Sequence, residues 1–495
     1  MAGSSTFPHP VYAQYVLEPG FHEAQRMLFE YMISASEAHV LMLVETGNLP
    51  AGSGAALLRG LAQVGSEGTD SFTYQPGIED LFFAVEKRLM DLVGADAGGN
   101  FQIARSRNDL DAAMCRMRLR DQGLAILERV VRLREVLLNL ADQHADTLML
   151  GITHTQPAQP TTLGHYLMGV VGPLERDVAR LLAAWDRLNA SPLGVAAFTT
   201  TSFAIDRELT ADLLGFEGLV ENGYDAVGAS DHMMEATGAL ATMVGSLSRF
   251  VHDLLIWARV EAGILRVDDS FIQISSIMPQ KRNPVVLEHI GIRIGWVYGD
   301  ASTVATIVHS SAFGDTNDVN DPMYVPLDRA CESTKAVLDL LTSVLETASF
   351  DVALLEQRAA EGNAATTAVA ELLVREGGIS WRAAHTVLSG AVGRSLAERK
   401  PVSGEMVLIV AAETLDKPVM VTATQVESAL DAWDFVRART LPGGPAPETV
   451  RAASAGARSR LRADADAISA RRELLATAAA ERARRADVLL ASVSV

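Results

Sequence analysis

Cysteine is almost absent from this chain. Among 495 residues only Cys115 and Cys331 occur, far apart and in no CxxC or metal-ligand spacing. That excludes a disulfide framework and fits two reduced, buried thiols in a cytoplasmic protein. Positive charge is also short. Lys and Arg number 42 against 61 Asp and Glu, for a formal net charge of -19. Nucleic acid and anionic membranes want basic patches, so neither is expected as a partner. A local cluster of Arg and Lys can still draw in a small anionic substrate. Long hydrophobic runs are missing although 48% of the chain is hydrophobic. Runs such as Leu163 to Leu174 are broken by Gly or His and are too short to span a bilayer. The start of the chain has no basic region followed by an apolar run, so no signal peptide is expected. The 11 His show no HExxH spacing, and no GxSxG elbow occurs. Neither a metal nor a cofactor is called for, and a serine hydrolase is disfavoured.

Helical periodicity is abundant. From Leu110 to Ala145 there is no Pro and one Gly. Leu110, Met114, Met117, Leu124, Leu127, Val131, Leu137 and Leu140 recur on one helical face. Such a helix is roughly 50 Å long. Thr161 to Asn189, Ala226 to Ala262 and Pro284 to Ser310 read alike. Four helices of this kind imply an all-α protein with an elongated central bundle. Period-2 alternation is scarce. Shorter helices are expected at His22 to Glu45 and Glu79 to Leu92, with breaks after Asp351 at Gly377-Gly378 and Leu441 to Pro447. The expected division is a helical N-terminal domain (1–109), the long-helix bundle (110–350) and a helical C-terminal domain (351–495).

Three polar loops flank the long helices. Ser275 to Pro284, SSIMPQKRNP, gathers two hydroxyls, a Lys and an Asn. A Ser near an ammonium loses its proton more easily, and Lys281 with Asn283 can hold a carboxylate. Asn283-Pro284 also reads as an N-cap with Pro at the first helical position. Arg105 to Asp109, RSRND, offers guanidiniums, a hydroxyl and an amide that suit a carboxylate. It reads equally well as a helix cap through Ser106, Asn108 or Asp109. Thr153 to Pro160, THTQPAQP, sets His154 in a loop beside Thr153, Gln156 and Gln159.

Together, from about Glu79 to Asn320, these loops resemble the fumarase/aspartase superfamily, and within it the argininosuccinate lyase branch. Pro192 to Phe216, PLGVAAFTTTSFAIDRELTADLLGF, resembles that branch specifically. The resemblance implies an all-α homotetramer whose core is a shared multi-helix bundle. Each active site would collect the three loops from three subunits. It implies a reversible elimination in which a C–N bond of an N-substituted L-aspartate breaks and fumarate leaves. Ser275 would take the Cβ proton as general base. Bringing a serine hydroxyl near neutrality takes about 8 kcal/mol. Lys281, backbone N–H groups and water exclusion would supply this, and Lys281 would stabilise the doubly charged carboxylate. Ser106, Arg107, Asn108, Thr153 and Asn283 would hold the carboxylates, with Gln156, Ser276 and Met278 also contacting substrate. His154, paired with Glu288, would donate a proton to the leaving nitrogen.

The chain departs from the branch at several places. Ile274 stands where Gly usually precedes the serine pair, Gln102-Ile103-Ala104-Arg105 replaces His-Thr-Gly-Arg, and Phe82 replaces a His. Thr316 to Asp321, TNDVND, replaces Tyr-Asn-Arg-Asp-Leu-Gln, with only Asn317 matching clearly. Asp315, Asp318 and Asp321 are candidates to hold a guanidinium. The fumarate half is therefore expected to be intact and the amine half rebuilt. An aminopolycarboxylate such as ethylenediamine-disuccinate is the preferred substrate. Argininosuccinate is the main alternative, and a non-catalytic structural homologue is a remote one.

Overall fold

A capping box starts the helix on which the molecule is built. The Ser106 hydroxyl accepts from the Asn108 N–H at 3.4 Å, and the Asp109 carboxylate accepts from the Ser106 N–H at 3.0 Å. Two orphan donors of the first turn are thereby satisfied. The computed structural model describes residues 7–319, 321–361 and 363–493. In chain order the main helices begin with α1 (Glu18–Glu45), α2 (Ala51–Glu67) and α3 (Leu81–Val93). The capped helix is α4 (Arg107–Gln143), followed by α5 (Leu163–Leu188), the short α6 (Gly223–Gly228) and α7 (Asp231–Trp257). Next come α8 (Val285–Ser310), α9 (Asp321–Thr347) and α10 (Val352–Glu361). The smaller α11 (Thr366–Arg375), α12 (Trp381–Glu398), α13 (Gly404–Thr414) and α14 (Ala423–Leu430) precede the terminal α15 (Pro447–Val493).

The fold is all-α, with α4, α5, α7, α8 and α9 forming the long bundle. The apolar stripe of α4 is its buried face: Leu110, Met114, Met117, Leu124, Leu127 and Leu137 are buried, while Val131 and Leu140 are half-buried. Truncating one such Leu to Ala typically costs about 2–5 kcal/mol. The helices α11 to α14 have a separate core around Val369, Leu373, Val387, Val407 and Val426. The last helix, α15, runs back along α4, α2 and α5. There Arg134 of α4, fully buried, bonds Asp464 of α15 at 2.5 Å and Glu175 of α5 at 3.3 Å. By length and composition Pro10–Glu45 and Asp231–Trp257 could each cross a membrane. In this structure 67% of the apolar stretch of the first and 39% of the second are buried within the chain.

Among the described residues, three two-stranded antiparallel pairs interrupt the helices, where alternation in the sequence is weak. They are β1 (Leu148–Thr153) with β2 (Gln156–Thr162), β3 (Leu265–Arg266) with β6 (Ser349–Phe350), and β4 (Gln273–Ile274) with β5 (Arg282–Asn283).

The up-and-down course of the bundle fixes where the loops fall. One end holds the N-terminus of α4, the end of α5 and the start of α7. Arg116 of α4 bonds the Leu188 carbonyl at 3.3 Å and the His232 ring at 3.4 Å there. Gly314, just beyond α8, lies against Gly228 at the same end. The other end holds the C-terminus of α4, where His144 accepts from Gly164 N–H through its carbonyl at 2.9 Å and packs its ring on Phe350. Phe350 pairs with Leu265 on the segment that leads into the Ser275 loop.

Candidate active site

The serine loop is a closed hairpin. Gln273 pairs with Asn283 and Ile274 with Arg282, and the Asn283 amide donates to the Gln273 carbonyl at 3.1 Å. Within the loop the Ser275 Oγ accepts from the Met278 N–H at 3.0 Å and the Ile277 N–H at 3.4 Å. Lys281 N–H donates to the Met278 carbonyl at 3.0 Å, and Arg282 pairs with Asp269. Ser275 and Asn283 are half-buried; Ser276, Met278, Lys281 and Glu288 are exposed. Glu288 sits in the first turn of α8. The expected cap at Asn283 is not found. Pro284 takes the N-cap position without a side-chain bond, and Asn283 belongs to β5. A residue before Pro is driven to extended backbone, and the antiparallel partner captures it there.

His154 and Thr155 form the two-residue turn between β1 and β2. Their φ values of 50° and 63° place both in the left-handed region, the pattern of a type I′ turn. Thr153 and Gln156 close the turn as its last pair, and all four side chains are exposed. The hairpin leans on the C-terminal helices, with Gln159 donating to Thr367 Oγ1 at 3.0 Å.

The third loop caps α4. Ser106 Oγ donates to Asn108 Oδ1 at 2.9 Å. Arg107 pairs with Asp80, reaches Glu79 at 3.4 Å and lies over the Phe83 ring at 4.9 Å. Its guanidinium is thus already matched by two carboxylates of this chain. Arg105 turns inward instead, bonding Gln102 at 2.5 Å and Ser36 at 3.1 Å above the Phe101 ring. Asp109 is fully buried and joins the cap to the segment after Pro192. Its second oxygen accepts from Gly194 N–H at 2.9 Å and Ala196 N–H at 3.0 Å. Burial pushes its carboxyl up to about 6, while bonds from Ser106, Gly194 and Ala196 and the charge of Arg105 pull it down. The sequence offered Ser106, Asn108 or Asp109 as the cap, and the structure places Ser106 there with Asp109 reciprocating; the second pair of bonds had no local signal.

The three loops do not meet in one chain. The α4 cap lies at one end of the bundle, and the Ser275 loop and the base of the His154 hairpin lie at the other. The 26 residues of α8 separate the two ends by roughly 40 Å. Among the described residues no hydrogen bond joins Ser275, His154 and Asn108. An open cavity of about 1260 Å³ runs between the hairpin, α5, α7 and the Gly443 segment, with Thr153 and Arg439 in its wall. Asp315 and Asp318 follow α8 near the α4 cap; the Asn320 position and the Asp321 side chain lie outside the described residues.

The long all-helical bundle carries a Ser-Lys-Asn loop, a His-bearing turn and a Ser-Arg-Asn helix cap. Residues 22–299 match the family described as lyase. Argininosuccinate lyase of Natronomonas pharaonis is 39% identical over 466 residues, covering 93% of this chain and 92% of that protein. Argininosuccinate lyase 1 of Shouchella clausii is 34% identical over 438 residues, covering 88% of each. An EDDS lyase variant solved with bound fumarate is 30% identical and superposes with a TM-score of 0.89 over 96% of both chains. The chain belongs to this lyase family, in the argininosuccinate lyase branch of the fumarase/aspartase superfamily, and is a carbon–nitrogen lyase.

Proposed function

We propose that the enzyme eliminates fumarate from an N-substituted L-aspartate of the aminopolycarboxylate class, with Ser275 as general base. The observation that carries this reading is the pair of backbone N–H groups on Ser275 Oγ, at 3.0 and 3.4 Å. Donors aimed at an oxygen favour its anion, and Lys281 in the same hairpin adds positive charge. Ser275 takes the Cβ proton, and the doubly charged carboxylate that forms is stabilised by Lys281 and Asn283. The C–N bond then breaks, and His154, assisted by Glu288, returns a proton to the amine. Ser106, Arg107, Asn108 and Thr153 grip the carboxylates, with Gln156, Ser276 and Met278 around them.

The same reading makes the working unit a homotetramer with each site shared by three subunits. The distance between the loops in one chain supports it. So does α8, which leaves Ile292 and Trp296 half exposed and Gly291, Gly295 and Gly299 with open space in front of them. Apolar side chains left exposed along one helix face in this way support a contact surface. Two unpaired cysteines accord with a cytoplasmic enzyme.

Argininosuccinate is the second reading, favoured by the names of the relatives at 34–39% identity. Against it stands the TNDVND segment. Ultraviolet detection of fumarate with each compound separates them. Ethylenediamine-disuccinate is expected to turn over faster, and equal or faster turnover of argininosuccinate overturns the preference.

A further inference from the structure

We propose that the segment from Gly194 to Phe203 forms a wall of the leaving-amine subsite, in which Phe198 and Tyr224 pack on the hydrocarbon linker of the departing aminopolycarboxylate amine and so favour an apolar or flat group at that place. This rests on the elimination described above and adds what the amine looks like. The first support is the tether. Asp109 holds the Ser106 N–H on one oxygen and the Gly194 and Ala196 N–H groups on the other. The carboxylate-gripping cap and the segment therefore move as one body. Phe198 is two residues past Ala196, so their Cα atoms lie within about 8 Å.

The second support is the backbone. Ala196 and Thr200 both sit in the left-handed region, with φ of 52° and 62°. Non-glycine residues rarely adopt it, and such strain gathers where a loop must present particular side chains. The Thr200 N–H bond to the Val195 carbonyl, 2.8 Å, closes the loop on itself.

The third support is the aromatic pair. At Gly223 any Cβ would stand 1.8 Å from the Phe198 carbonyl oxygen, so glycine lets α6 press against the loop. The next residue, Tyr224, then meets Phe198 with ring centroids 4.6 Å apart at a 39° tilt. Both rings remain open, 39% exposed for Phe198 and 49% for Tyr224. On the far side of α6, Gly228 touches the backbone of Gly314, two residues before the TNDVND segment. The pair thus stands between the carboxylate-binding cap and the part of the chain that departs from its relatives' pattern. Aromatic faces bind alkyl linkers and rings by contact, and a cationic nitrogen through the ring quadrupole. Asp109 is the positioning residue, and Phe198 and Tyr224 determine specificity.

The test runs the reaction backwards on the full-length assembled enzyme, following loss of fumarate with methylamine or 2-phenylethylamine. Wild type is expected to favour 2-phenylethylamine by about tenfold or more in kcat/KM. Phe198→Ala and Tyr224→Ala should each lower that preference about tenfold, mainly through KM, while Phe198→Leu retains most of it. Circular dichroism and assembly mass identify any variant that misfolds, in which case the remaining two decide. Consumption of fumarate with an unchanged amine preference in the variants overturns the wall. No consumption with either amine, from an enzyme that still releases fumarate from ethylenediamine-disuccinate or argininosuccinate, also overturns the wall; no fumarate from either of those compounds overturns the elimination reading itself.

Discussion

Ser275 is held by two near neighbours in sequence. Its Oγ rests on the N–H groups of Ile277 and Met278, which a Ser-x-x turn supplies without help from the rest of the fold. Ser275→Ala should lower fumarate release by about 10³-fold, the usual weight of a general base, with assembly mass unchanged. Retention of more than a tenth of the activity would remove Ser275 from the mechanism. His39 tests the frame behind the α4 cap. It is buried, and its ring bonds the Ile103 carbonyl at 2.9 Å. Burial first, then the charge of Arg105, pushes it down to about 3. The unfolded chain, with His near 6.5, therefore binds the extra proton between those values, and stability falls as pH drops through that window. Relative to His39→Gln, wild type should lose about 2 kcal/mol between pH 7 and pH 5 in urea unfolding. A flat difference across that range is the contrary result. The proposed site residues could be named from the sequence because hydroxyl, ammonium and amide share one short loop there. The engagement of Arg107 by Glu79 and Asp80 was not, since it spans 27 and 28 residues of chain.

The His154 hairpin illustrates what an element hides. Two prolines, Pro157 and Pro160, argue against a strand, and β2 nevertheless contains both. A two-stranded ribbon has only edge strands, so a missing N–H there can face outward. The turn is equally unexpected, for His and Thr hold left-handed φ values that Asn-Gly would hold at less cost. Thr155→Gly should relieve about 1 kcal/mol of that strain and slow amide exchange in β1 and β2. Faster exchange would mean that the turn is set by contacts of the Thr side chain. The long helices, by contrast, were legible. The α4 stripe and the Ser106 capping box agree, and the helix begins three residues before its first apolar position because the cap belongs to the polar loop.

At the scale of the molecule, loop order along the chain was legible and loop separation became so only through the bundle. Helix lengths and the alternating course of α4, α5, α7 and α8 carry the α4 cap to one end and Ser275 to the other. A site shared between copies makes a sharp prediction. Ser275→Ala and Asn108→Ala are each expected to be nearly inactive. Unfolded together, refolded and mixed in equal amounts, they should recover activity. With the two residues drawn from different chains at random, about a quarter of the sites contain neither change. Recovery at the background of the separate variants would mean that each chain supplies its own site.

Arg134 ties this architecture to the order in which the chain is made. Its buried guanidinium bonds Asp464, which lies in the final helix. On the ribosome α4 and α5 emerge long before that carboxylate does, so Glu175 of α5 is the guanidinium's sole carboxylate partner among these two until α15 arrives, and an interior cation short of a partner is disfavoured. The bundle therefore gains its second Arg134 carboxylate only when α15 has docked, and a protease that cuts before Asp464 should loosen α4 and α5 far upstream of the cut.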